Sequence, residues 1–170
     1  FQTNSHWAEK LYSKVLESAN NIKDSTVLDL YAWTWTIWMI LANAWAEKVY
    51  SVELVEQANK DWEENAKLNS LNNIEFINAK VEDFLENFKE KKADILIIDP
   101  PRSWMHPKAL PNIIKFNAKE IIYVSCNPST LARDLGYILE NSKYKLIEVT
   151  PVDMFPHTHH IEVVAKLELK

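Results

Sequence analysis

Apolar residues recur in two rhythms along this chain. Short continuous runs rich in β-branched residues occupy 27–31, 49–53, 74–77, 94–99 and 121–125, and each predicts a buried strand. Between them apolar positions recur every three or four residues, as at Leu11, Val15 and Leu16, predicting helices near 6–19, 37–46, 55–69, 81–90, 107–116 and 129–141. Pro100 and Pro101 end the fourth strand, and a turn-like segment at 32–38 leads into the second helix. The last two runs, 144–149 and 161–169, read as strands with no helical pattern between them.

Strand–helix alternation makes a parallel sheet with helices on both faces. Two final strands without a crossover helix close one edge as an antiparallel hairpin. The expected class is α/β: a Rossmann-like, mostly parallel sheet with a C-terminal antiparallel hairpin, the outline of the S-adenosylmethionine-dependent methyltransferase fold. Residues 1–170 read as one domain, and the opening Phe1-Gln2-Thr3-Asn4 reads as a cut from something longer. Charge narrows the partners. At −5 the chain is no generic clamp that holds phosphates with surplus lysine and arginine, so a nucleic-acid substrate would need a local basic patch or a second domain. One cysteine, Cys126, excludes a disulfide scaffold. No apolar run approaches the ~18 residues of a membrane-spanning helix, so no membrane partner is expected.

In open parallel sheets ligands sit at the carboxyl ends of the strands, so the strand exits carry the candidates. Glu53 follows the second strand, where it is either a solvated strand-end acid or the acceptor for the two hydroxyls of an adenosine ribose. Asp99-Pro100-Pro101-Arg102 follows the fourth strand and Ser125-Cys126-Asn127-Pro128-Ser129-Thr130 the fifth. A lone cysteine is commonly an inert core residue. Here Cys126 stands at the ligand edge, just before a helix start and with Arg133 in the following turn, a setting that favours the thiolate. His157, His159 and His160 lack a partner at metal-ligand spacing and read as a polar loop or an RNA-facing contact.

The segments Phe1-Gln2-Thr3-Asn4, Asp29-Leu30-Tyr31, Asp99-Pro100-Pro101-Arg102, the run from Ser125 to Asp134, and Pro156-His157-Thr158-His159-His160-Ile161-Glu162 occur in this order. Together they resemble the catalytic domain of the RNA 5-methyluridine methyltransferases, over essentially the whole chain. The resemblance implies Cys126 as nucleophile and Glu162 as base, although Glu162 by position alone is equally an edge-strand surface acid. It implies an S-adenosylmethionine pocket lined by Gln2, Tyr31, Glu53 and Asp99 with Thr36 near it, and no metal. It implies a cytoplasmic enzyme acting on ribosomal or transfer RNA, with Arg102, Arg133 and the histidines as candidate RNA contacts and no obligate protein partner. It also implies an OB-fold RNA-binding domain and a small central domain outside this segment. Two other readings make different predictions: an amino-group methyltransferase, suggested by Asp99-Pro100-Pro101, needs no thiol, and a non-catalytic RNA-binding fragment forms no adduct.

One pair of counts is abnormal. The chain has one glycine, Gly136, and seven tryptophans, whereas ordinary usage gives about twelve glycines at this length. A glycine-rich Gly-x-Gly-x-x-Gly loop belongs after the first strand, for tight turning and close approach to the ligand; those positions read Trp33, Trp35 and Trp38. Trp104 falls where the resemblance expects another glycine, and Trp7, Trp45 and Trp62 stand at a helix start, a helix end and a polar helix face, where glycine is also at home. A single cause would cover all seven: glycine codons read as tryptophan. Genuine indoles in the loop would instead fill the ligand's volume and weaken cofactor binding.

Overall fold

The computed structural model describes residues 5–20, 22–32, 37–44, 46–88, 92–101, 105, 108–154, 156–158 and 160–170. Among these, seven strands form one sheet in the order β3-β2-β1-β4-β5-β7-β6. The strands are β1 (Thr26–Leu30), β2 (Lys48–Glu53), β3 (Ile74–Asn78), β4 (Ile95–Ile98), β5 (Glu120–Ser125), β6 (Tyr144–Val152) and β7 (Glu162–Leu169). The helices are α1 (Ser5–Ser18), α2 (Ile37–Asn43), α3 (Glu56–Leu68), α4 (Val81–Asn87), α5 (Ala109–Phe116) and α6 (Pro128–Asn141). Strands β1 to β5 pair in parallel, and β7 enters antiparallel between β5 and β6. The expected α/β class and its closing hairpin are both present.

The central strands β1, β4 and β5 are mostly apolar because both faces of the sheet are covered there, whereas the edge strand β6 is largely exposed. Val27, Leu28 and Leu30 of β1 and all four residues of β4 are buried. On one face α1, α2 and α3 bring Leu11, Val15, Trp38, Leu41 and Trp62 onto Val27, Val49 and Ile97. On the other, α4, α5 and α6 bring Phe84, Ile113, Leu131 and Ile138 onto Leu28, Leu96 and Tyr123. Trp62 therefore lies on the buried face of α3, not on its polar face as the charged run around it suggests.

Boundaries shift where backbone pairing overrides pattern. Helix α2 ends at Asn43. Strand β6 runs through Pro151 to Val152, because on an edge strand the missing N–H of proline breaks no ladder bond. Asn117 ends α5 in the left-handed region at φ 53°, which asparagine tolerates better than most residues. No helix among the described residues is long and apolar enough to cross a membrane.

Candidate active site

Strand order reverses beside β1: β2 lies on one side and β4 on the other, each register-matched so that Leu30 faces Val52 and Ile98. Chains leaving β1 and β4 diverge there and open a crevice at the carboxyl rim. The rim is firmly held. Ala32 N–H donates to the Val52 carbonyl at 3.2 Å and Asp99 N–H to the Leu30 carbonyl at 3.3 Å. Between them Tyr31 turns the chain with φ at 64°, a left-handed conformation that is strained for so bulky a residue and occurs preferentially at functional sites.

Three carboxylates meet at this crevice. Glu53 ends β2 and is 8% exposed, with Oε1 accepting the Val55 N–H at 2.9 Å. The amides of Asn59 and Asn78 both donate to its carbonyl at 3.2 Å, fixing the turn that aims it. Asp99 follows β4 and is half-buried. Asp29, inside β1, is 1% exposed and neither of its oxygens has a hydrogen-bond partner. Burial first, then repulsion by Asp99, holds its carboxyl well above the usual range; the Trp38 backbone N–H pulls the other way, short of a formed hydrogen bond, and Glu53 adds a smaller upward push. The sequence pattern alone assigns Asp29 no role. Its signal was an acid inside an otherwise apolar strand with no cation beside it. The trio suits a ligand that brings positive charge and hydroxyl donors.

Tyr31 leans to the other side of the sheet. Its hydroxyl is buried without a partner, and burial together with Glu82 and Asp134 pushes its pKa up. It therefore stands between the acidic trio and α6. Gln2 and Thr36 lie outside the described residues, as do Arg102 and His159.

The second centre forms where β5 passes into α6. Ser125 Oγ accepts the Asn127 N–H at 3.1 Å and donates to the Asn127 carbonyl at 3.1 Å, so the turn closes around the residue between them, Cys126. Asn127 caps α6: its Oδ1 accepts the N–H groups of Ser129 and Thr130 at 3.0 and 3.4 Å, and Pro128 takes a first-turn position that needs no N–H. Cys126 is half-buried just ahead of that cap, at the positive end of the helix dipole. Arg133 is not a bare cation for the thiol. Its Nε and a terminal nitrogen bind Asp134 Oδ1 at 2.9 and 2.8 Å, while the Tyr123 hydroxyl donates to Asp134 Oδ2 at 2.8 Å.

Register brings Glu162 to the same place. In the antiparallel β5–β7 ladder the last pair is Ser125 with Val163, so Cys126 and Glu162 are the next residues at the same end of the ladder. Glu162 is 9% exposed. His157 is exposed at φ 73°, and His160 donates its N–H to Thr158 Oγ1 at 3.2 Å. Among the described residues no cluster of histidine, cysteine and acids could hold a metal ion.

The tRNA (uracil-5-)-methyltransferase family profile matches residues 1–170. The chain belongs to that family. An uncharacterized RNA methyltransferase of Clostridium tetani is 49% identical over the whole chain, and one of Caldanaerobacter subterraneus subsp. tengcongensis is 48% identical over 99% of it. The chain spans 37% of the length of each of these curated relatives. Among solved structures, the Pyrococcus abyssi tRNA (uracil-54, C5)-methyltransferase in complex with S-adenosyl-L-homocysteine superposes with a TM-score of 0.84 at 35% identity, covering 98% of this chain and 39% of that one. The precorrin-6y C5,15-methyltransferase of Geobacter metallireducens shares the fold at 15% identity, with a TM-score of 0.78 over 95% of this chain and 88% of that one.

Proposed function

We propose that this domain methylates C5 of a uridine in transfer or ribosomal RNA, using S-adenosylmethionine and a transient bond from Cys126 to the base. The observation that supports the reading is the β5–β7 register: the ladder closes at Ser125 and Val163, and the chain's single thiol and a buried carboxylate are the next residues at that end. Family membership and the RNA methyltransferase relatives support the substrate class.

The acidic crevice fits the cofactor. An orphaned, buried Asp29 carboxyl flanked by Glu53 and Asp99 matches a ligand that carries an ammonium, a sulfonium and a ribose diol. Glu53 would take the ribose hydroxyls, and Asp29 and Asp99 the cationic part. Gln2, Tyr31 and Thr36 complete the proposed pocket. When bound, S-adenosylmethionine supplies the methyl group as an electrophile.

The residues of the chain supply the rest. C5 of uracil is a poor nucleophile. Addition of the Cys126 thiolate to C6 pushes the C5–C6 π pair onto C5 and O4 as an enolate, and C5 can then accept the methyl group. C5 now bears both methyl and hydrogen. Glu162 removes that proton, its electron pair re-forms the C5–C6 double bond, and the C6–S bond breaks to return the thiolate. The target base must leave its stack to reach the rim.

Fluorine at C5 cannot leave as a proton. Protein from its own cells, given S-adenosylmethionine and RNA containing 5-fluorouridine, is therefore expected to stay covalently joined through a Cys126 peptide. Methyl transfer that survives Cys126→Ala would overturn the reading in favour of attack by an exocyclic nitrogen. Absence of both adduct and transfer would leave a non-catalytic RNA-binding domain.

A further inference from the structure

We propose that the protein, as its own cell makes it, carries glycine at the seven positions that are tryptophan in this sequence. The inference does not depend on the methyl-transfer reading. It starts from composition, one glycine against seven tryptophans, and from the spacing Trp33-x-Trp35-x-x-Trp38 at the exit of the first strand of a doubly wound sheet. There three glycines serve the tight turn, the close approach of backbone to ligand, and the close packing of helix on strand.

The interior supplies independent support. Trp38 and Trp62 are wholly buried, yet neither indole N–H has a hydrogen-bond partner. A buried indole normally finds one. The two rings lie 6.4 Å apart and both pack on Phe76, at 5.0 and 6.1 Å between centroids. Beneath them Asp29, Ser51 and Phe76 occupy one rung across β1, β2 and β3. Unpartnered buried polar atoms gather in this same layer: both oxygens of Asp29, Ser51 Oγ, Asn59 Oδ1 and the two indole nitrogens. Tyr31 Oη, on the other face, is the remaining one among the described residues. Both indoles lie in the core cluster that covers this rung. Glycine at 38 and 62 would let both helices settle, bringing the α2 backbone toward Asp29 and Asn59 toward Ser51. Trp38 thus does its harm in the packing layer, its indole among core side chains rather than in the ligand's volume.

One cause covers seven sites. The codon UGA is read as stop, tryptophan or glycine in different genetic codes, so a glycine-reading gene translated with a tryptophan-reading code gives this pattern. The gene's nucleotide sequence is expected to show UGA at all seven codons, and peptides of the protein from its own cells are expected to weigh less by the tryptophan–glycine difference at each. A tryptophan codon of any other form at any of the seven, or a tryptophan mass there, overturns the proposal. A second measurement reads the packing directly. Two indoles native to the core would leave large cavities on removal, so the pair Trp38→Gly and Trp62→Gly would lower the melting temperature steeply. The expected result is an unchanged or higher melting temperature. The chain with all seven glycines is further expected to bind S-adenosylhomocysteine at least about tenfold more tightly than the tryptophan chain, whereas equal binding together with a more stable tryptophan chain would overturn the inference.

Discussion

A carboxyl group buried without a hydrogen-bond partner must take up a proton or meet a cation. Asp29 is in that position, and its raised pKa sets a sign. Between the ordinary aspartate value and the raised one, the folded state holds a proton that the unfolded state has lost, so stability falls as pH rises through this window. Asp29→Asn removes the penalty. The ligand-free variant is expected to be more stable at pH 7, by on the order of 1 kcal/mol, with a flatter stability–pH profile in urea titrations. The same substitution should weaken S-adenosylhomocysteine binding by about tenfold or more, because the ligand's ammonium loses its carboxylate. Calorimetry of the unaltered protein should show proton release on binding and affinity that rises with pH. Flat affinity across that window would mean that Asp29 does not face the ligand. At the rim, Glu162→Gln leaves the thiol and removes the proposed base. The expected outcome is an RNA–protein complex joined through Cys126, methylated but released at least about a hundredfold more slowly, and visible on a denaturing gel.

The link between β5 and α6 is two residues long, so the placement of Cys126 depends on how firmly those two elements are joined. Tyr123, Asp134 and Arg133 join them behind the cysteine. Tyr123→Phe leaves a buried Asp134 oxygen without its donor, a loss of about 1–3 kcal/mol that urea unfolding can measure. The rate of adduct formation should fall further than that loss explains, and Tyr123→Phe should not alter S-adenosylhomocysteine affinity; a variant that merely melts earlier would be normal on both counts below its transition. Much of this was legible in the chain. The central strands were readable because a strand covered on both faces is apolar at nearly every position, as β4 is. The motif at Ser125–Asn127 showed a strand exit, a cap and a proline in the order that a helix start demands. Other features were not legible, for definable reasons. Trp62 was misplaced because a charged helix hides its narrow apolar stripe. The full reach of β6 depends on its partner, since pairing with β7 carries it through Pro151. The burial of Asp29 and its repulsion by Asp99 and Glu53 arise from neighbours on three separate strands, which no local pattern reveals.

For the whole molecule the balance of charge decides how RNA is held. The net charge is −5, and three acids meet at the crevice beside β1. Arg133, close to the proposed nucleophile, is already bonded to Asp134 and so offers a phosphate little uncompensated charge. A protein that neutralises six to ten phosphates loses about 10³–10⁵ in affinity between 50 and 200 mM salt, because each contact releases condensed counterions. This domain has no such surplus to spend. Filter binding of the isolated chain to single-stranded RNA is expected to be weak, with less than about a tenfold change across that salt range. Recognition would then rest on the flipped base and its few edge contacts rather than on the backbone. A steep salt dependence of the isolated domain would reveal a basic track on its surface and move target selection into this chain. A shallow one assigns the phosphate-holding role to the part of the relatives' length that this chain does not span, and leaves this domain the chemistry proposed for Cys126 and Glu162.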